Sequence, residues 1–292
     1  MMILGIVLTA GIGGHLLDPY SPQRLVAVVS GIAGIAFILS LLAVTGIENK
    51  TLGVSSEARA EGDTPPFMAA IRQLWSEKLA RDFTIFVFVS MLAYSAQELI
   101  LEPYAGLVFG FSLGRSTQLA GFQHGGVLVG MVVIGLAGTL IKGDRTALMK
   151  RTTVVGCIAS ALALGGLASA GFAQSIIPLQ PMVFSLGFAN GIFAVSALGL
   201  MMSFAGASRN SREGIRMGVW GAAQAAAFGI GGFLGATGLD LMRHLIASAP
   251  TAFATVFAVE ATGFVIAALI ALRLDRTADT IIPARGNLQM GA

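Results

Sequence analysis

Long apolar runs alternate with short polar breaks along the whole chain. A membrane-spanning helix needs about 20 predominantly apolar residues, and eight runs approach or exceed that length. They are residues 2–17, 24–46, 83–105, 121–141, 152–172, 178–204, 216–238 and 250–273. This pattern predicts an all-α polytopic membrane protein with about eight transmembrane helices.

The composition agrees with a membrane protein and excludes several other classes. Of the 292 residues, 55% are hydrophobic and 11% are charged, whereas a soluble domain carries about 25% charged residues. A soluble enzyme, a nucleic-acid-binding domain and a disordered chain are therefore excluded. Cys157 is the one cysteine in the sequence, so a disulfide scaffold is excluded as well. The first run has no basic segment before it, and we expect no cleavable signal peptide.

The positions of the positive charges predict the orientation. Of the 18 Lys and Arg residues, fifteen fall in alternate segments, namely 47–82, 142–151, 209–216 and the C-terminal tail. Positive residues are retained on the cytoplasmic side of a membrane. We therefore expect these segments, and with an even number of spans both termini, to be cytoplasmic.

A long hydrophilic segment separates two predicted helices from six. Many secondary transporters consist of two six-helix halves joined by a cytoplasmic loop, and we expect four N-terminal helices to be absent here by truncation, a misplaced start or genuine reduction. The predicted units are the last two helices of an incomplete N-terminal half (1–46), a cytoplasmic central loop with an amphipathic helix (47–82), a six-helix C-terminal half (83–275) and a cytoplasmic tail (276–292).

The amphipathic helix is predicted after Pro65 and Pro66. Apolar and charged residues there separate onto opposite faces at helical spacing. The apolar face contains Phe67, Ile71, Leu74, Trp75 and Leu79, and the charged face contains Arg72, Glu77, Lys78 and Arg81. We expect this helix to contact membrane lipids at the inner interface, and a partner-binding helix is the alternative.

Glycine is abundant within the apolar runs, with 38 residues in the chain. Small residues allow transmembrane helices to approach closely. We assign helix packing to Gly125, Gly126 and Gly130 in the fourth run, and to Gly231 and Gly235 in the seventh. The alternatives are a sliding contact in a rocking transporter and a flat wall for a large planar ligand.

Acidic residues within the apolar runs are candidates for function, because each costs free energy at membrane depth unless it is paired or hydrated. Glu98 and Glu102 are four residues apart and share one helix face, with Tyr94 one turn earlier and Gln97 adjacent. Pro103 follows, so we expect this helix to end or kink there.

Two functional interpretations of these acids remain open. Two nearby carboxylates do not both ionise readily in a low dielectric, which permits proton coupling. A structural hydrogen bond to a neighbouring helix is the alternative. Glu260, well inside the last run, is a further candidate for a proton or ligand contact.

His124 lies among glycines near the outer end of the fourth run. It could form a hydrogen bond between helices, or it could be the axial ligand of a metal in a porphyrin-like ring. His15 and His244 fall at predicted outer loop boundaries, and no other side chains have the spacing of metal ligands. No catalytic motif is present, so we expect no enzymatic activity.

Two longer motifs indicate a family. They are Gln97–Gly106 (QELILEPYAG), continuing through Phe109 and Gly110 to Gln123–Met131 (QHGGVLVGM), and Arg212–Gln224 (REGIRMGVWGAAQ). Both resemble the PucC/LhaA family, the bacteriochlorophyll delivery branch of the major facilitator superfamily. The resemblance runs from Met1 to about Asp275 and corresponds to helices five to twelve of a twelve-helix protein. It implies a partial major facilitator fold.

The resemblance also implies a function. Members of this family help to assemble light-harvesting complexes. The protein would therefore bind bacteriochlorophyll, or deliver it to antenna polypeptides, in the bacterial inner (intracytoplasmic) membrane. His124 or Gln123 would coordinate the magnesium. Tyr94, Gln97, Glu98 and Glu102 would complete the pigment or substrate site, with Glu98 where the family is expected to favour Asp.

Two other functions are compatible with the sequence. One is an assembly scaffold that binds no pigment, and the other is a proton-coupled transporter of a small solute. An oligomer, or a partner that supplies the missing N-terminal half, is also compatible with the chain.

Overall fold

The computed structural model describes residues 2–45, 72, 74–140, 143–173, 178–206 and 213–281. The regular elements in these ranges are α-helices. They are α1 (Met2–Leu16), α2 (Pro22–Val44), α3 (Lys78–Phe109), α4 (Leu113–Leu140), α5 (Arg145–Ala170), α6 (Leu179–Gly206), α7 (Glu213–Leu245) and α8 (Ala249–Ile281). Seven of these helices are long and apolar enough to cross a membrane. The prediction of an all-α polytopic membrane protein is confirmed.

The first predicted span is shorter than expected. Helix α1 has 15 residues, which at 1.5 Å per residue is about 22 Å long, whereas a bilayer core is about 30 Å thick. Of the eight helices in the described ranges, α1 is the one that is too short to be a candidate membrane span. Helix α2 has no buried residue and packs weakly against α1.

Helix α3 is longer than predicted at both ends, and it does not end at Pro103. It begins at Lys78 and continues through Pro103 to Phe109. Proline removes one backbone donor, but Pro103 faces the exposed side, while Tyr104 and Val108 beyond it are buried. Burial of these side chains favours continuation of the helix. The helix ends instead at Gly110, whose φ of 67° lies in the left-handed region that glycine adopts readily.

Two predicted boundaries lie close to ranges that the structure does not describe. The first part of the predicted amphipathic helix, including Phe67 and Ile71, lies outside the described residues, and its last residues, from Lys78 to Arg81, belong to α3. Of its remainder, Leu74 is buried and Trp75 is exposed. The last helix was predicted to end at residue 273, but α8 continues to Ile281.

The end of the central segment is attached to the bundle by Arg216 on α7. Its Nη2 forms an ion pair with Glu77, and its Nη1 donates a hydrogen bond to the carbonyl oxygen of Phe204 at 3.0 Å. This one guanidinium group therefore connects the start of α3 to α6 and α7.

Helices α3 to α8 pack around a shared core. Helix α3 packs against α7 and α8, α5 packs against α6 and α8, and α4 packs against α6. Aromatic rings fill the centre and contact one another at edge or tilted angles. These rings belong to Phe83, Phe86, Phe193, Phe204, Trp220 and Phe264.

Glycines on both partners bring α4 and α6 into backbone contact. A Cβ atom at Gly126 or Gly130 of α4 would collide with the backbone of α6, and a Cβ atom at Gly187 or Gly191 of α6 would collide with the backbone of α4. Gly125, which the sequence grouped with Gly126 and Gly130, does not take part, because a Cβ atom there would meet nothing within 4 Å.

A similar contact joins α7 to α3. A Cβ atom at Gly231 would lie 2.6 Å from the carbonyl oxygen of Leu92, and one at Gly235 would lie 2.8 Å from that of Ala96. Real Cβ atoms essentially never come this close to another atom. Both positions therefore require glycine for the observed helix spacing.

Candidate functional site

Four of the predicted site residues meet in one cavity between α3 and α4. The cavity has a volume of about 200 Å³. Its lining consists of Glu98, Leu101, Glu102, Ser116, Leu119, Ala120, Gln123 and His124. Helix α3 contributes the acids and α4 contributes the amide, the hydroxyl and the imidazole. We call this the acid–histidine cavity.

Glu98 and His124 interact across the acid–histidine cavity. The imidazole Nε2 lies 3.8 Å from Oε1 of Glu98. The other ring nitrogen, Nδ1, lies 2.9 Å from the carbonyl oxygen of Ala120. Because a carbonyl oxygen can only accept, Nδ1 carries the proton of that hydrogen bond. Nε2 is therefore the nitrogen that faces the carboxylate.

Magnesium coordination by His124 stays a prediction. The geometry shows which ring nitrogen would be available for it. Axial ligation requires a ring nitrogen with a free lone pair and open space beside it. Nδ1 is occupied by the Ala120 carbonyl, and Nε2 faces Glu98. For His124 to bind a metal, the Glu98 side chain would have to move away. The alternative, a hydrogen bond between helices, also stays a prediction, because the bond to Ala120 lies within α4 and the 3.8 Å distance to Glu98 is longer than a hydrogen bond.

A double-mutant cycle tests the coupling between these two side chains. We expect Glu98→Leu and His124→Leu to destabilise the protein individually, and the double variant to lose less stability than the sum of the two. The Glu98 side chain is 35% exposed, so the coupling free energy should be modest, about 0.5–1 kcal/mol. Thermal unfolding of the four proteins in detergent measures it. Strictly additive losses would contradict a direct interaction.

Gln97 and Tyr94, which are close to Glu98 in sequence, point elsewhere. Gln97 is fully buried, and neither its amide nitrogen nor its carbonyl oxygen has a hydrogen-bond partner among the described residues. The Tyr94 ring packs on Phe228 of α7, with 5.9 Å between the ring centroids. Neither residue lines the acid–histidine cavity. Gln97 projects about 100° away from its neighbour Glu98, whereas Tyr94, one turn before Glu98, is directed to α7 by its contact with Phe228.

Glu260 is a separate buried polar group on α8. Its side chain is 5% exposed, and both carboxyl oxygens lack a hydrogen-bond partner in the described part of the chain. Helices α3 and α8 are antiparallel, since Tyr104 contacts Phe257 and a Cβ atom at Gly263 would lie 3.0 Å from the Cβ atom of Ala93. Gln97 and Glu260 fall between these two contacts and hence at the same level.

A larger and more open groove lies between α1, α4 and α6. It has a volume of about 500 Å³, and we call it the α1–α4 groove. Its lining residues are mostly apolar or small, and they are Val7, Gly11, His15, Gln118, Gly121, Phe122, Gly125 and Phe184.

This groove could not be predicted from the position of His15 alone, which lies at the end of the first helix as expected. His15 belongs to α1 and lines the groove together with Gly11, one turn earlier. A usable signal was present, since Gly11 and His15 have the same four-residue spacing as Gly121 and Gly125. That spacing places each pair on one helix face.

A metal site built entirely from protein ligands is not evident in the described ranges. No group of three or more His, Cys, Asp or Glu side chains there could hold a metal ion. Cys157 is buried in α5. The groups near the acid–histidine cavity can donate or accept hydrogen bonds and exchange protons, but they do not form a cluster of metal ligands.

Comparison with known proteins identifies the family. Residues 1–278 match the family described as PUCC protein. The bacteriochlorophyll synthase 44.5 kDa chain of Rhodobacter capsulatus is 49% identical over 272 residues, which are 93% of this chain and 61% of that protein. An uncharacterized protein in the puhA-bchM intergenic region of Rhodobacter capsulatus is 30% identical over 250 residues, which are 85% of this chain and 50% of that protein.

A third relative carries the family's own name. Protein PucC of Cereibacter sphaeroides is 26% identical over 287 residues, which are 95% of this chain and 59% of that protein. The chain thus spans between 50% and 61% of the length of these curated relatives. The family match covers nearly the whole chain, as the motifs around Glu98 and Arg216 predicted, and the chain belongs to the PUCC protein family.

Proposed function

We propose that this protein takes part in the assembly of light-harvesting complexes, by holding bacteriochlorophyll or handing it over to antenna polypeptides within the membrane. The observation that carries the proposal is the match of residues 1–278 to the PUCC protein family. The name of one relative refers to bacteriochlorophyll, which is consistent with a pigment as the cargo.

The geometry supports a binding role for a large apolar ligand. The α1–α4 groove, at about 500 Å³, lies within the range of about 300–1,000 Å³ that is typical of ligand pockets. The acid–histidine cavity offers the side-chain amide of Gln123 as a hydrogen-bond donor, whereas the protons of Ser116 and of His124 Nδ1 are donated to the backbone of α4. The ring carbonyl groups of a bacteriochlorin accept hydrogen bonds, so the Gln123 amide is chemically suited to it.

The proposed role involves binding and no covalent chemistry. The name of one relative contains the word synthase, but that name describes the relative and assigns no activity to this chain. In this chain the polar residues that the structure brings together are suited to hydrogen bonding with a ligand or to proton exchange. The absence of enzymatic activity stays a prediction.

The membrane location, the orientation and the partners of the protein are also proposals. We place the protein in the bacterial inner (intracytoplasmic) membrane with both termini cytoplasmic, on the basis of the positive charges in alternate segments. Antenna polypeptides are the proposed partners, together with the surrounding lipids.

Gentle purification from a bacteriochlorophyll-producing host tests the proposed function. We expect a near-infrared pigment band that elutes with the protein, and antenna polypeptides identified by mass spectrometry in the same fraction. The same tagged protein from a host that makes no bacteriochlorophyll is the control for non-specific capture of polypeptides.

Three other outcomes would contradict pigment delivery. A colourless protein that brings down antenna polypeptides would favour the scaffold. Uptake of a small solute into vesicles that depends on pH and on Glu98 or Glu260 would favour the transporter. A protein with neither pigment nor antenna polypeptides would refute the proposed function.

A further inference from the structure

We propose that the α1–α4 groove is the binding site for the bacteriochlorin ring and that His15 is the axial ligand of its magnesium. This inference rests on the proposed function, because it names the site at which the pigment would be held. It differs from the prediction made from the sequence, in which His124 or Gln123 coordinates the magnesium.

His15 has the chemical properties of an axial ligand in this structure. Its side chain is exposed and lines the groove, and its ring nitrogens make no hydrogen bond with the residues that the structure describes. A neutral imidazole nitrogen with a free lone pair is the ligand type that holds the metal of a tetrapyrrole from one face. At His124, by contrast, the Glu98 carboxylate lies 3.8 Å from Nε2 and would have to move before a metal could bind that nitrogen.

Bare helix backbone forms part of the groove walls. A Cβ atom at Gly11 or at Gly125 would meet nothing within 4 Å, so these glycines are not required for contact between helices. Both nevertheless line the groove. Glycine at these positions leaves flat surface against which a planar ring can lie, which gives a reason for glycine where packing gives none.

Close contacts between α1 and α4 fix the dimensions of the groove. A Cβ atom at Gly14 would lie 2.8 Å from the carbonyl oxygen of Gly114, and one at Gly121 would lie 3.4 Å from the backbone nitrogen of Gly11. The two helices therefore cannot separate or shift without losing these contacts. The space beside them is a preformed feature of the packing, as in most ligand pockets.

Two aromatic side chains complete the apolar surface. Phe122 of α4 is 48% exposed and Phe184 of α6 is 37% exposed, and both line the groove. Aromatic rings pack well against another flat π system, in offset or edge contacts. A lipid acyl chain could also lie on this surface, but it would make no use of His15. Dependence on His15 and on magnesium therefore distinguishes the pigment from a lipid.

Binding titrations with a matched pair of pigments test this inference. Bacteriochlorophyll a contains magnesium, whereas bacteriopheophytin a has the same ring without a metal. Both are titrated against the purified full chain in detergent, and binding is followed by near-infrared absorption. The variants are His15→Leu and Gly125→Leu. Their matched controls are His244→Leu, an exposed histidine outside the groove, and Gly135→Leu, an unobstructed glycine on the same helix.

The expected results distinguish the contribution of His15 as a magnesium ligand from that of the groove as a binding surface. His15→Leu should lower the affinity for bacteriochlorophyll a by about tenfold or more and leave that for bacteriopheophytin a nearly unchanged. Gly125→Leu should lower the affinity for both pigments, because a side chain at this position occupies the groove, and its Cβ atom meets nothing within 4 Å. The two controls should match the original protein.

The outcomes also distinguish this inference from the proposed function. If the original chain binds bacteriochlorophyll a but His15→Leu and Gly125→Leu do not weaken it, the groove is not the site and the proposed function stands. Loss of binding in His124→Leu, with His15→Leu unaffected, would overturn the assignment in favour of the acid–histidine cavity. An original chain that binds neither pigment would refute the proposed function itself.

Discussion

Replacement of Gly187 by valine is expected to prevent recovery of folded protein. A Cβ atom at this position would collide with the backbone of α4 at Gln123. Because the obstruction is backbone, a change of side-chain rotamer cannot relieve it, and α4 and α6 would have to separate. We expect a cost of more than about 3 kcal/mol, against a total stability of about 5–15 kcal/mol for a typical protein.

Size-exclusion chromatography and thermal unfolding in detergent measure this effect. Gly165→Val on α5 is the matched control, because a Cβ atom there meets nothing within 4 Å and the intrinsic helix propensity changes by the same amount. The control should be recovered normally. Equal recovery of both variants would show that α4 and α6 are not in backbone contact at Gly187.

Replacement of Glu260 by methionine is expected to stabilise the protein. The carboxyl group is 5% exposed, and neither oxygen has a hydrogen-bond partner within the described ranges. A buried polar group without a partner costs about 1–3 kcal/mol in protein mutational data, and methionine replaces it with an apolar side chain of similar size. We therefore expect a higher melting temperature in detergent, with a gain of that order.

The control for this variant is Val259→Met, at the neighbouring exposed position, which should have little effect. Gln97→Leu provides a second comparison, since Gln97 lies at the same level of the bundle and its amide also has no partner in the described structure. A loss of stability in Glu260→Met would contradict the prediction and would indicate that the carboxyl group is hydrogen-bonded. A stabilised variant that has lost the proposed function would assign Glu260 a functional role, because functional sites often retain groups that reduce stability.

The membrane-spanning architecture could be predicted from the sequence because the bilayer imposes a length on every apolar run. The boundaries were less accurate, as α3 shows by extending from Lys78 through Pro103 to Phe109. A helix can continue into polar residues beyond the hydrocarbon region, and the length of the apolar run does not reveal this. Buried side chains can also maintain a helix beyond a proline. The sequence also identified Glu98 and Glu102 as neighbours on one face, since that follows from helical periodicity alone.

The sequence by itself determined that the chain is an all-helical membrane protein of the PUCC family and that acids occur at membrane depth. The tertiary structure decided which of these residues meet. His124 faces Glu98 across two helices, whereas Gln97, adjacent to Glu98 in sequence, is buried apart from it. His15 and Gly125 line one groove although 110 positions separate them. Helical periodicity fixes the directions in which side chains project from one helix. The rotation and spacing of different helices depend on contacts between them, such as those at Gly126, Gly187 and Gly191, and these contacts exist only in the packed bundle.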